Sequence, residues 1–136
     1  MVVLIDTNVI IDFIAQRSQF YSDAEEILNR CANGVMFGYI AVNTVSDIFY
    51  ILRKEYSVEK RKAALYDLCD TVRVIGLEHE DVLNVIADEN FSDLEDCMQN
   101  ECAEKINADY IITRNTDDFR NSTIPAITPS DFLLTF

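Results

Sequence analysis

Residues 2–14, VVLIDTNVIIDFI, join two apolar runs through the polar residues Asp6, Thr7 and Asn8. The first run, VVLI, has the length and β-branching of a strand buried on both faces, as the strands of parallel sheets are. The segment TNVIIDFI that follows is typical of a helix. The stretch therefore predicts a strand-to-helix junction at Asp6, which is the repeating unit of an α/β fold.

Strand-like and helix-like segments alternate along the rest of the chain. The further predicted strands are residues 35–41, 72–77, 108–113 and 124–128. Helices are expected between them, over 43–56, 58–70 and the segments SDAEEILNRCANG, EHEDVLNVIADEN and SDLEDCMQNECAEKIN. This order predicts a three-layer α/β/α sandwich with a central parallel sheet of about four to five strands, formed by one domain over residues 1–136.

Polar residues before several of these helices predict where they begin. Ser22 is followed three residues later by Glu25, and Ser92 by Glu95, the spacing of a capping box. Asn43 or Thr44 can cap the helix that follows the second strand.

Composition excludes several classes of protein. Among 136 residues, 49% are hydrophobic and 26% charged, with only 3 Gly and 2 Pro, which is ordinary for a globular domain. The four cysteines show neither C-x-x-C spacing nor a histidine cluster, so neither a zinc site nor a redox pair is indicated. The sequence lacks a signal-peptide pattern and the roughly 20-residue apolar run of a membrane span, so we expect a cytoplasmic protein without a membrane partner.

The net charge restricts how the chain could bind nucleic acid. With 11 basic and 24 acidic residues it is −13, the wrong sign for a protein held on nucleic acid by its overall field. Any contact with nucleic acid should therefore be short and should depend on a bound cation.

Four carboxylates, Asp6, Asp47, Asp96 and Asp118, each lie near the end of a predicted element. In an open parallel sheet, such positions meet beyond the carboxyl ends of the strands. Each acid also has an ordinary explanation, as a helix cap, a partner of a helix dipole or a turn residue. Converging carboxylates repel one another unless a cation joins them, and oxygen ligands without His or Cys favour Mg²⁺ or Mn²⁺. The predicted chemistry is metal-assisted hydrolysis.

Four segments in order, VLIDTNVIIDFI, NTVSDIFYILRK, SDLEDCMQ and ADYIITRNTDDF, resemble the motifs of the PIN domain. This is a metal-dependent ribonuclease fold that includes the VapC-type toxins of bacterial toxin–antitoxin pairs. The resemblance extends from residue 2 to about residue 128.

The resemblance implies roles for particular residues. Asp6, Asp96 and Asp118 would be metal ligands, and Asp47 would orient the attacking water or a second ion, although the family usually has glutamate at this position. Polar residues beside these acids would support them: Thr7, Asn8, Asp93, Thr113 and Asn115.

The implied activity is metal-dependent endonucleolytic cleavage of single-stranded or loop RNA. The implied partners are an RNA substrate, an antitoxin protein and a second copy of the chain in a homodimer. The cations available for phosphate contacts are Arg17, Arg53, Lys54, Arg61 and Arg114. The alternative is a catalytically weak or inactive PIN-like module that binds RNA or a partner protein, which the shorter Asp47 and the negative net charge favour.

Overall fold

The computed structural model describes all residues, 1–136. It contains five strands and seven α-helices: β1 (Val2–Ile5), α1 (Thr7–Ile14), α2 (Tyr21–Ala32), β2 (Phe37–Ala41), α3 (Val42–Ile51), α4 (Val58–Thr71), β3 (Arg73–Ile75), α5 (His79–Ala87), α6 (Leu94–Lys105), β4 (Tyr110–Ile112), β5 (Ala126–Ile127) and α7 (Pro129–Thr135). Two short 3-10 helices, Leu52–Lys54 and Thr116–Phe119, complete the set.

The strands form one parallel sheet in the order β3-β2-β1-β4-β5. β1 is therefore the central strand, hydrogen-bonded to β2 on one side and to β4 on the other. Successive side chains of a strand point to opposite faces, so Val3 and Ile5 belong to one core cluster and Leu4 to another. The predicted parallel α/β sheet and the burial of the first strand on both faces are confirmed.

The two cores separate the helices into layers. The larger cluster packs α1, α2, α3, α4 and α7 against one face of the sheet through residues such as Ile10, Ile27 and Ile48. The smaller cluster packs α6 against the other face through Cys102 and Ala103, with Phe119 beside them. α6 and the 3-10 helix Thr116–Phe119 therefore approach the same side of β1 and β4.

Two predicted helix starts are wrong. α2 begins at Tyr21, because the turn before it already supplies the carbonyl of Arg17 to the Tyr21 amide (2.8 Å), and Ser22 lies inside the helix. α3 begins at Val42 directly after β2, so neither Asn43 nor Thr44 is its cap.

The start of α6 is one residue later than predicted. The N-cap is Asp93, whose carboxylate accepts a hydrogen bond from the Asp96 amide (3.0 Å), and Ser92 lies outside the helix. Carboxylate and hydroxyl caps are comparable in strength, so the sequence alone does not choose between adjacent candidates. As a result, Glu95 is not held in a capping box, and its carboxyl group is free for another contact.

No helix in the structure has both the length and the apolar composition needed to cross a bilayer. The cysteines are all free, with Cys31, Cys97 and Cys102 buried and Cys69 exposed.

Candidate active site

Asp6 stands at the carboxyl end of the central strand, where its amide donates to the Ile112 carbonyl of β4 (2.9 Å). Its side chain is 6% exposed. Four donors surround the carboxylate: Oδ1 accepts from the Thr7 amide (2.6 Å) and Gln99 Nε2 (2.7 Å), and Oδ2 accepts from Asn8 Nδ2 (2.9 Å) and Thr113 Oγ1 (2.7 Å). The carboxylate is thus fixed in position by three separate parts of the chain.

The polar residues predicted beside Asp6 contact it in different ways. Asn8 contacts both Asp6 and Thr113, and its Oδ1 accepts from the Arg114 amide (3.3 Å). Thr7 supplies its amide to Asp6, while its hydroxyl bonds the Thr44 hydroxyl on α3 (2.9 Å).

Asn115 reaches this network only through its backbone. Its amide donates to Thr113 Oγ1 (3.0 Å), and its side chain lines a separate polar hollow beside Gln19 and Phe20. The Asn115 amide group makes no hydrogen bond to any of the four acids.

Asp47 lies on α3, half-buried, and its Oδ2 is buried without a hydrogen-bond partner. Glu95 on α6 lies close to it. Partial burial of the Glu95 carboxyl group, a hydrogen bond to Asp47 and the charges of Asp47, Asp93 and Asp6 raise the pKa of Glu95 to about 7. Glu95 therefore keeps its proton to a higher pH than an ordinary glutamate does.

Asp96 is half-buried one residue further along α6. Burial, followed by the charges of Asp93, Asp118 and Asp6, raises its pKa to about 6. The same negative field thus includes the acids that follow β1, cap α6 and follow β4.

Asp118 is exposed on the 3-10 helix Thr116–Phe119, which buried Phe119 anchors in the smaller core. It faces a cleft of about 710 Å³ between this segment and the start of α6. Asn121 Nδ2 donates to the Asn90 carbonyl (2.7 Å) and ties the two walls together. The cleft is lined by five acids, Glu89, Asp93, Asp96, Asp117 and Asp118, and by one cation, Arg120.

The donor set of this region suits a hard divalent cation. No three His, Cys, Asp or Glu side chains are close enough to form a complete metal cluster in this structure. However, the buried acceptors Asp47 Oδ2 and Gln99 Oε1 have no partner, and no ion pair involves Asp6, Asp47, Asp96 or Asp118. Buried acceptors normally have a partner, and an all-oxygen set matches Mg²⁺ or Mn²⁺. The residues present fit such an ion.

Two of the predicted phosphate contacts are engaged by other residues of the protein. Arg61 is 9% exposed, lies over the Phe49 ring (4.2 Å) and donates to the Phe49 carbonyl (2.6 Å). Its guanidinium is thus used in the packing of α3 against α4. Arg114 pairs with buried Asp12 (2.7 Å) and lies over the Phe20 ring (4.2 Å).

The other predicted cations lie at the surface. Arg17 pairs with Glu55 (2.8 Å), and Arg53 lies over the Tyr50 ring (3.8 Å) and bonds the Tyr50 carbonyl (2.9 Å). Lys54 is exposed, in the same 3-10 helix as Arg53. None of these lines the acidic cleft.

Three residues of the site were missed by the sequence analysis. Gln99 lies one helical turn after Asp96, a spacing that places both on one face of α6 and could have drawn attention to it. Arg120 follows Asp118 by two residues. Glu95 was assigned to a capping box that does not form.

Comparison with known proteins identifies the family. A family model described as PIN domain matches residues 2–117. No curated protein matches the sequence. The fold resembles that of chains in solved structures of a toxin–antitoxin complex from Klebsiella pneumoniae (24% identity, TM-score 0.70, covering 93% of this chain and 97% of that one) and of VapBC-1 from nontypeable Haemophilus influenzae (19%, 0.70, 96% and 99%). It also resembles a chain in the structure of VapBC2 from Rickettsia felis bound to a promoter DNA fragment (14%, 0.70, 94% and 98%). Since the family model spans most of the sequence, the chain belongs to the PIN domain family.

Proposed function

We propose that the chain is a Mg²⁺- or Mn²⁺-dependent endoribonuclease that hydrolyses phosphodiester bonds of single-stranded or loop RNA, and that it is the toxin of a toxin–antitoxin pair. The observation that carries the proposal is the gathering of acids at one edge of the sheet. Asp6, Asp47, Asp96 and Asp118 come from four elements, and none of them has a cationic partner in the protein.

Asp6, Asp96 and Asp118 would hold the ion, which when bound would lower the pKa of an attacking water and neutralise charge on the phosphodiester. Gln99, Asn8 and Thr113 keep the Asp6 carboxylate in one orientation. Asp47 Oδ2, an acceptor without a partner, is the atom that orients the water and takes its proton. Glu95 on α6 lies beside Asp47 and shares its negative surroundings.

The test is cleavage of single-stranded RNA in Mn²⁺ by the wild type and by two variants, Asp96→Asn and Asp118→Asn. These positions are preferable to Asp6, because an amide there would oppose the four donors that surround it. We expect a loss of at least about 100-fold in cleavage rate for each variant, as for removal of groups that hold a catalytic metal. Asp70→Asn, on the exposed face of α4, is the matched control and should cleave at the wild-type rate. No Mn²⁺-dependent cleavage by the wild type would contradict the proposal.

The second candidate is a weakly active or inactive PIN-like module that binds RNA or a partner protein. It is favoured by the aspartate at position 47 and by the net charge of −13. Asp47→Glu separates the two: an active nuclease should keep or gain cleavage when the longer carboxylate is supplied, whereas a binding module should show no turnover in either form.

An antitoxin partner is supported by the similar structures, which are of toxin–antitoxin and VapBC complexes. Such a partner would present a basic side chain to the cleft, because the cleft carries five acids and one cation.

We also propose a homodimer. An open, mostly apolar hollow of about 710 Å³ between α3 and α4 is lined by Val42, Val45, Phe49 and Leu65, and exposed apolar surface of this kind is typical of protein interfaces. Val42→Asp should shift the sedimentation coefficient from dimer to monomer, whereas Leu134→Asp, at an 84% exposed site on α7, should leave it unchanged.

A further inference from the structure

We propose that Arg120 is the residue that binds a substrate phosphate in the acidic cleft, and hence a positioning residue for single-stranded RNA. This inference rests on the proposed function and names a part of that site which the sequence did not indicate. Arg120 is exposed at the end of the 3-10 helix Thr116–Phe119, two residues after Asp118.

Most arginines of the protein are already engaged. Of the seven in the sequence, five make an ion pair, a hydrogen bond or a ring contact within the chain: Arg17, Arg30, Arg53, Arg61 and Arg114. The side chains of the other two, Arg73 and Arg120, make no hydrogen bond or ion pair. Arg73 lies on the edge strand β3, so Arg120 is the only free guanidinium in the cleft.

The absence of an ion pair at Arg120 is informative because five carboxylates line the same cleft. A guanidinium in such surroundings would be expected to pair with one of them, yet none lies within 4.0 Å of a basic nitrogen. Its five donors are therefore available to an anion that enters from solvent. Guanidinium groups bind phosphate through two parallel hydrogen bonds, which fix its orientation as well as its position.

The position of Arg120 also accounts for how RNA could approach an acidic protein. When a divalent ion balances the charge of Asp96 and Asp118, Arg120 remains as a fixed cation in the cleft. It lies two residues after Asp118 in the chain. A phosphate held there would place the adjoining backbone of the RNA beside Asp118. The other free arginine, on β3 at the far edge of the sheet, cannot serve this purpose.

The test measures binding of a short fluorescein-labelled single-stranded RNA of mixed sequence by anisotropy, in Mn²⁺ and at low temperature, for the full chain. Arg120→Ala should weaken binding by about tenfold or more, as expected for loss of a charge-assisted bidentate contact. The dependence of log affinity on log salt should become shallower by about 0.7 for one lost phosphate contact. Arg120→Lys should recover part of the affinity, and Arg73→Ala should bind as the wild type does.

Two further measurements separate this role from a purely structural one. If Arg120 only balanced the charge of the acids, Arg120→Ala would lower the melting temperature and alter Mn²⁺ affinity measured by calorimetry. We expect both to remain at wild-type values. RNA affinity within twofold of the wild type, or an equal loss in Arg73→Ala, would overturn the proposal.

The outcomes for Arg120 and for the nuclease are distinguishable. A wild type that binds the RNA through Arg120 but never cleaves it would refute the nuclease and support the phosphate site. Equal cleavage rates for the wild type and Arg120→Ala would support the nuclease and refute the phosphate site. A wild type that neither binds nor cleaves the RNA in Mn²⁺ would refute both.

Discussion

At the scale of single residues, Asp6 and Gln99 differ in how well their positions in the site could be predicted from the sequence. Asp6 and Asn8 follow the first predicted strand and Thr113 ends the fourth, so the sequence places all three at the carboxyl edge of the sheet, and the pairing of β1 with β4 brings them together. Gln99 lies 93 positions from Asp6 in a helix, and only its spacing of one helical turn from Asp96 hints that it shares the face turned toward β1. Its contact depends on how α6 packs on the sheet through Cys102 and Ala103.

We predict that Gln99→Leu lowers the free energy of unfolding by about 1–3 kcal/mol, because a buried carboxylate loses one of its four donors. The substitution keeps the volume of the side chain, so little of the effect should come from a cavity. Urea denaturation in EDTA measures the change. Gln19→Leu, at an exposed position, serves as the control and should unfold at the wild-type midpoint. Equal midpoints for Gln99→Leu and the wild type would show that the bond is not stabilising.

At the scale of secondary structure, the start of α6 decides what its acids do. The sequence assigned Glu95 to a capping box with Ser92, but Asp93 caps the helix and Glu95 instead contacts Asp47 on α3. With Asp93 as the cap, Glu95 has no capping role. Helix ends are therefore the level at which sequence patterns fail here, whereas the alternation of helices with the strands of a parallel sheet was anticipated.

The acids of α6 give the metal-free protein a defined dependence on pH. The folded-state pKa values of Glu95 and Asp96, about 7 and about 6, exceed their usual values of 4.5 and 3.8. Between about pH 4 and pH 7 the folded protein therefore binds more protons than the unfolded chain does. The contribution of these two groups to the free energy of unfolding is fully present below about pH 4 and is lost as pH rises through 6 to 7.

We therefore expect the melting temperature in EDTA to fall between pH 5 and about pH 7.5, and to fall less in Glu95→Gln. Mn²⁺ should restore it in the wild type by neutralising the acids. A melting temperature that rises with pH over this range would contradict the assignment of these two groups.

Strand β2 contains a glycine, Gly38, whose neighbours leave no room for a side chain. A methyl group on Gly38 would lie 2.6 Å from Cys31 Sγ and 3.0 Å from Val72 Cγ1, closer than packed atoms allow. Gly38→Ala should therefore destabilise the protein by about 1–3 kcal/mol through overpacking.

Gly76→Ala is the matched control for this substitution. No atom lies within 4 Å of the added methyl group there, so the unfolding midpoint in urea should stay the same or rise slightly. Equal effects at the two positions would argue against the crowding of β2.

At the scale of the whole molecule, the excess of 13 negative charges and the small number of free cations limit how the proposed RNA substrate could bind. Composition gives the net charge, but it could not tell which arginines would be used within the fold. Arg61 and Arg114 looked available in the sequence and are held by Phe49 and Asp12.

We predict that RNA binding requires Mg²⁺ or Mn²⁺ and depends weakly on salt. With one or two phosphate contacts, log affinity should fall with log salt with a slope between about −0.7 and −1.4. Anisotropy titrations at several NaCl concentrations, with Mn²⁺ or EDTA, measure it. A slope several times steeper, or unchanged affinity in EDTA, would mean that RNA binds elsewhere by extended electrostatic contact.

The central place of β1 has a bearing on synthesis. β1 leaves the ribosome before its partner β4, and the Gln99 and Thr113 side chains that surround Asp6 are about a hundred residues later in the chain. A growing polypeptide thus carries Asp6 long before it can assemble the surroundings of that acid. For the ribonuclease proposed above, this order of events would keep the nascent chain inert toward the messenger and the ribosome until α6 and β4 have been synthesised.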